Sequence, residues 1–183
     1  MGHPGQAKRF ANVAQPLWHT LASVIPAMVV GERHGALAAG SLLAGAIAVD
    51  GDHLVDWALN GGREDYTRRI VVPAHGWDIV VACVIASRTN SVPAAFRPLA
   101  LAFAAGLACH LTLDHMVNRP ETILGYVFTW RIWNGFDRLR CGWLPASEWT
   151  RSYRTSQRAA PTETLIATLV GLAILMAGRE RRP

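Results

Sequence analysis

The feature that most restricts how this chain can fold is a set of five apolar segments, at residues 16–30, 35–49, 70–87, 98–117 and 164–177, each bordered by ionisable residues. A helix needs about 20 apolar residues to cross a bilayer, with a lower limit near 17. Segment 98–117 meets that length and 70–87 nearly does. The other three are short unless polar ends, such as 50–57 after the second segment, lie at the interface. There are no internal repeats and no apolar–polar alternation of the kind a half-buried strand shows. The expected fold is therefore all-α, a polytopic transmembrane bundle of about four to five helices plus an interfacial aromatic and Arg-rich segment. It is expected as a single membrane domain over 1–183, with the motifs in a core at 15–140, a polar connector at 141–163 and a closing helix at 164–178. The competing fold is a soluble helical domain that buries the same segments.

Hydrophobic residues make up 51% of the chain and charged ones 17%, apolar for a soluble domain. Mean hydropathy is only +0.18, because much of the apolar content is Ala and Gly. Those residues score weakly on transfer scales yet suit close helix packing in lipid. The formal charge is +5, and Lys8 is the single Lys. An Arg excess fits anionic lipid head groups or a phosphorylated substrate. Nucleic acid is not an expected partner, since no nucleic-acid motif is present. Cys83, Cys109 and Cys141 are odd in number and lack C-x-x-C spacing, which argues against a disulfide framework or a thiolate zinc site. A cleaved signal peptide is disfavoured because the first apolar stretch holds His19 and two prolines.

If all five segments cross, twelve of the Lys and Arg residues fall on the side of the N-terminus and the 118–161 stretch, against six on the other. The positive-inside rule makes the first side cytoplasmic. Loops are expected at 60–65 and 87–93, and an interfacial helix at 126–136, where Trp130, Arg131, Trp133 and Phe136 crowd together.

Ionisable residues beside apolar segments need partners, protons or metal. Asp50, Asp52, His53 and Asp56 form one cluster at the end of the second segment. Within it Asp52 and Asp56 are four apart and His53 and Asp56 three apart, so each pair shares a helix face. Next come His75 and Asp78 after Pro73, then His110 and Asp114, four apart on a strongly apolar helix. His19 stands alone near the start of the first segment. His115 points roughly 100° away from His110–Asp114 and is not expected to join them, and His3 and His34 carry no role. Each cluster has a plain alternative: a solvated helix end, a dipole-offsetting carboxylate, or a neutral hydrogen-bonded pair. In the five-span arrangement, however, all four locations fall on the cytoplasmic side. The candidate metal ligands are thus His19, Asp50, Asp52, His53, His75, His110 and Asp114, with Asp56 and Asp78 as proton acceptors. Arg68, Arg69 and Arg119 are candidates for pairing with substrate phosphate. Mixed imidazole and carboxylate ligands suit Zn first, with Mn, Fe or Mg as alternatives.

These residues carry a resemblance. The order of an early His (His19), a Gly-rich stretch ending in D-x-D-H (45–53), a turn of the H-[SG]-x-[DE] kind (75–78) and an H-x-x-x-D helix (110–114) resembles the bacterial inner-membrane metal-dependent hydrolases. More loosely, it is similar to zinc-dependent phospholipase C-like proteins. The aromatic stretch 126–136 also looks like a segment of that family, and the likeness covers about residues 15–140. Two positions depart from the pattern, with Val49 in place of Pro and Gly76 in place of Ser. The resemblance implies a multi-pass, metal-dependent hydrolase of the bacterial inner membrane; a site at the cytoplasmic interface beside Arg68, Arg69 and Arg119 is expected to meet a phosphoester- or lipid-like substrate. Two other functions compete with it: a bundle braced by a structural metal or polar network, and a metal or proton transporter. No Ser-His-Asp arrangement is readable, which counts against serine catalysis.

Overall fold

The computed structural model describes residues 16–59, 69–145, 148 and 161–178. Among them the chain is all-helical. The helices are α1 (Pro16–His34), α2 (Ala36–Ala46), α3 (His53–Leu59), α4 (Trp77–Arg88), α5 (Arg97–Asn118), α6 (Phe128–Trp133) and α7 (Pro161–Ala177). Short 3₁₀ turns cover Ala48–Asp52 and Ile123–Tyr126. The one β feature among the described residues is an isolated bridge between Arg69 and Asp137.

Helix α5 is the axis, with α1, α2, α4 and α7 packed around it. Its stretch from Ala104 to Asp114 is buried without a break, all round the helix. Small residues permit this. A Cβ on Gly106 would overlap the Leu42 carbonyl oxygen of α2 and stand 3.0 Å from the Ala46 nitrogen. One on Gly45 would overlap the Phe103 carbonyl oxygen and come within 2.9 Å of the Leu107 nitrogen. Two glycines, one from each helix, thus let the backbones of α2 and α5 touch, the usual device for tight helix pairs in apolar surroundings. Gly35, at φ 83°, turns the chain between α1 and α2 in a single residue.

Pro26 sits inside α1 and has no N–H to give to the Ala22 carbonyl one turn earlier. The Thr168 hydroxyl of α7 reaches that carbonyl at 3.0 Å, an orientation it shares with its own Thr164 carbonyl. A helix break from one segment is thereby repaired by another.

Two apolar segments are only partly helical. In 70–87 the helix begins at Trp77, and 70–76 is irregular because Pro73 cannot donate and biases Val72 away from helix. The backbone there is satisfied by carboxylates: Val71 N–H donates to Asp56 at 2.7 Å and Ala74 N–H to Asp52 at 2.6 Å. The segment 35–49 gives an 11-residue α2 that passes into 3₁₀ geometry. Among the described residues α5 alone is long and apolar enough to cross a membrane, at 22 residues and a mean hydropathy of 1.4. The expected interfacial helix at 126–136 is shorter than its aromatic run, with α6 ending at Trp133 and Gly135 and Phe136 both at positive φ. Its Arg131 is fully buried and Trp133 85% exposed, so one side of the segment docks on the bundle. Cys141 and Trp143, at the start of the expected polar connector, belong to the core around Tyr126.

Asp78 fastens α6. Its two carboxylate oxygens accept the Phe128 and Thr129 N–H groups at 3.0 and 2.9 Å, the first amides of that helix. Asp78→Ala should therefore cost about 1–2 kcal/mol of stability. Thermal unfolding of the purified variant measures this, and an unchanged midpoint would contradict the anchoring role.

Candidate metal centre

Six ionisable side chains meet at one end of the bundle, delivered by five stretches of backbone. His19 comes from the first turn of α1, Asp50 from the 3₁₀ turn after α2, and His53 from the start of α3. His75 comes from the irregular segment before α4, and His110 and Asp114, one turn apart, from the C-terminal half of α5. Two groups of three satisfy metal-ligand spacing, His19–His110–Asp114 and Asp50–His53–His75.

The two groups are joined. His75 Nε2 lies 2.9 Å from His110 Nε2, 3.4 Å from Asp50 Oδ1 and 3.7 Å from Asp114 Oδ2. His110 Nε2 lies 3.5 Å from both Asp50 Oδ1 and Asp114 Oδ2. Five of the six edges of a tetrahedron are thus 2.9–3.7 Å. Ligands about 2.0–2.2 Å from one tetrahedral ion stand roughly 3.3–3.6 Å apart. His19 and His53 flank this core. His19 Nε2 is 3.5 Å from Asp114 Oδ1, and its ring stacks on His110 with centroids 3.9 Å apart. His53 Nε2 is 3.7 Å from Asp50 Oδ1.

The outer partners set the tautomers. His110 Nδ1 lies 2.8 Å from the Ala46 carbonyl oxygen, which can only accept, so Nδ1 carries the proton and Nε2 presents a lone pair. His75 Nδ1 lies 3.0 Å from Asp52, which makes the same assignment. A carboxylate behind a ligating imidazole is the arrangement that orients rings and raises their basicity in metal sites. Two lone pairs facing each other at 2.9 Å repel unless a proton or a cation lies between them. The carboxylates demand positive charge as well. Buried His and Asp groups of this kind could hold a metal ion, and the donor set fits a borderline divalent ion such as Zn, Mn or Fe.

The sequence-expected residues divide accordingly. His19, Asp50, His53, His75, His110 and Asp114 are brought together. Asp52 stands behind His75 and also holds the Ala74 amide. Asp56, fully buried, accepts from Val71, and Asp78 holds α6. Arg69 reaches the Gly135 carbonyl at 3.4 Å, and the exposed Arg119 closes α5 in left-handed conformation through its own N–H to the His115 carbonyl. Arg68 lies outside the described residues.

Two residues not expected from sequence support the centre. Arg131 donates from Nη2 to the His75 carbonyl oxygen, clamping the backbone that carries the ligand. Burial lowers its guanidinium pKa, while nearby Tyr126, Asp52 and Asp78 act to keep it charged. Tyr126 accepts from Asn118 Nδ2 at 2.7 Å, and its burial, with Asp114 nearby, pushes its phenol well above the usual value. The only sequence signal was an Arg set among aromatics, which reads equally well as a membrane-surface contact.

No protein-family model, curated protein or solved structure matches the chain. The functional reading therefore stands on the site itself and on the motif resemblance.

The support role of Asp52 is directly measurable. Asp52→Asn keeps the shape but weakens the orientation and basicity of His75, and should lower metal affinity by about 10–100-fold. Competition with a chromophoric chelator reads this, and unaltered affinity would remove Asp52 from the site.

Proposed function

We propose that the chain is a multi-span membrane protein whose His/Asp centre holds divalent metal, Zn by preference, and hydrolyses a phosphoester- or lipid-like substrate at the cytoplasmic face. The observation that carries this is the convergence of Asp50, His75, His110 and Asp114, five of whose six ligand-atom separations are 2.9–3.7 Å, with two ring nitrogens already oriented by Ala46 and Asp52. Membrane location is supported by the outward faces of the helices. On α1, Leu17, Leu21, Val24, Ile25 and Met28 are 40–61% exposed and recur at helical spacing. Leu165, Ile166, Leu169 and Met176 do the same on α7, and Val81 and Ile85 on α4. Exposed apolar faces on several helices are foreign to soluble monomers and ordinary in lipid.

A divalent ion at this centre would supply Lewis acidity, bringing the pKa of a water toward neutrality and polarising a phosphoryl or acyl oxygen. The residues do the rest. Ala46 and Asp52 hold the rings, Arg131 holds the His75 backbone, and apolar packing from Leu107, Leu111 and Leu113 excludes bulk water from below. His53 and Asp50, 37% and 21% exposed at their side chains, are the solvent-facing members of the set. We assign proton uptake to His53, since the carboxylates of Asp56 and Asp78 are committed to backbone amides. Among the described residues we assign Arg119, exposed just past the end of α5, to substrate phosphate.

Turnover decides the matter. Detergent-purified protein would be given bis(4-nitrophenyl) phosphate and short-chain phospholipids, before and after chelation and Zn readdition. Metal-dependent release that vanishes in folded Asp50→Ala and His75→Ala supports the hydrolase. A metal-loaded, folded protein that turns over none of these substrates would leave the ion a bracing role.

A further inference from the structure

At the other end of the bundle lies a cleft of about 720 Å³, lined by Arg33 and His34 from the end of α1, Arg97 and Leu101 from the start of α5, and Val30 and Leu175 among its apolar walls. Thirteen residues of α5 separate Arg97 from His110, roughly 20 Å at helical rise, so this cleft is distinct from the metal centre. Among the described residues three cationic or basic side chains line it and no carboxylate does; Glu32, on the same helix end, is outside the lining.

The entrance to α5 is the second observation. A helix N-terminus favours acidic residues, because its first amides and dipole present positive charge. Here the first turn holds no acid, no side chain caps it, and Arg97 stands there instead. Arg97 donates Nε to the Val92 carbonyl at 2.9 Å and Nη2 to Asn90 Oδ1 at 3.2 Å, which fixes the guanidinium in place. Pro98 has no N–H, so the first turn offers the Arg97 and Leu99 amides; beside the fixed Arg97 cation they are a place where an anion gains twice. The walls discriminate among anions. Val29, Val30, Pro98, Leu101 and Leu175 are of no use to free phosphate, but they match an acyl chain. Met28, exposed at 61%, carries that apolar surface outward on α1.

We infer that this cleft binds one anionic phospholipid, its phosphate between Arg33 and Arg97 and an acyl chain along Val29, Pro98 and Leu101. The inference rests on the membrane reading given above, but not on the hydrolase one.

Native mass spectrometry of the full-length protein in detergent tests it, with phosphatidylglycerol, phosphatidylcholine or inorganic phosphate added in turn. The expected result is one phosphatidylglycerol retained, about tenfold in preference to phosphatidylcholine, with no retained phosphate. Arg33→Gln/Arg97→Gln, made together, should abolish that preference while metal content stays unchanged. Equal retention of the two lipids, or a double variant that binds as the wild type does, overturns the site. Retention or thermal stabilisation by inorganic phosphate equal to that by the lipid overturns the lipid assignment. Carbonate extraction of cell membranes separates this from failure of the membrane reading: a chain released by carbonate is not embedded, whatever the lipid result.

Discussion

His110→Ala is expected to strip the protein of its metal. His110 Nε2 forms three of the five measured edges of the tetrahedron, to His75, Asp50 and Asp114. Its Nδ1 also ties α5 to the end of α2 at Ala46. Removing an outer partner of a metal ligand costs about 10–100-fold in affinity, and removing a ligand costs more than that. The variant also empties a fully buried position and strands the Ala46 carbonyl, at about 1–3 kcal/mol for an unsatisfied buried group. Elemental analysis of wild type and variant, beside circular dichroism, separates the two effects. One or two equivalents of Zn, Mn or Fe in the wild type and background levels in a still-helical variant is the expected result. His110→Gln, which keeps polarity and most of the volume, serves if the alanine form does not fold. A variant that retains its full equivalent would show that the ion sits elsewhere.

Gly106→Ala should be the most damaging single-methyl change in the described structure. The added Cβ would overlap the Leu42 carbonyl oxygen and lie 2.8 Å from its carbon, both of them backbone atoms that cannot rotate away. The two helices must move apart. Overpacking usually costs 1–3 kcal/mol, and a backbone clash puts this change at about 3 kcal/mol or more. The separation of α2 and α5 also sets the His110–Ala46 bond and the approach of Asp50 to His110, so metal affinity should fall with stability. Gly40→Ala is the control. Nothing lies within 4 Å of its Cβ, and replacing an unconstrained helical Gly should be neutral or stabilising by up to about 1 kcal/mol. Thermal unfolding of both variants reads the contrast. Equal midpoints would mean that α2 and α5 are not packed backbone to backbone.

The two variants touch one site from opposite directions, the first through a ligand and the second through the spacing that places the ligands. A metal centre assembled from five helices and turns is sensitive to both. This sensitivity is why Asp52, Asp56 and Asp78, carboxylates that make backbone contacts, matter to the chemistry. They hold the irregular segment before α4 and the start of α6, and Arg131 clamps the same segment from behind.

The apolar segments and their periodicity determined the all-helical class, because nothing in the chain alternates as a half-buried strand must. Ionisable residues flanking those segments also marked the candidate ligands, since a charge beside apolar helix needs a partner whatever the topology. The spacing of His110 and Asp114 placed both on one face of α5 before any tertiary contact was known. Which carboxylates face the candidate metal site and which hold the chain was decided only by tertiary structure. Asp50 and Asp52 are chemically identical and two residues apart, yet a 3₁₀ turn aims one at His110 and the other at the back of His75 and the Ala74 amide. The 3₁₀ turn follows from where α2 ends against α5, and that contact depends on Gly45 and Gly106 lying 61 residues apart in the chain. Arg131 was illegible for the same reason: beside Trp130 and Trp133 it resembles any interfacial Arg, and only the docking of α6 onto the His75 segment buries it. Local pattern reports what a residue can do, whereas the long-range contacts that bring its partner within 3 Å belong to the fold.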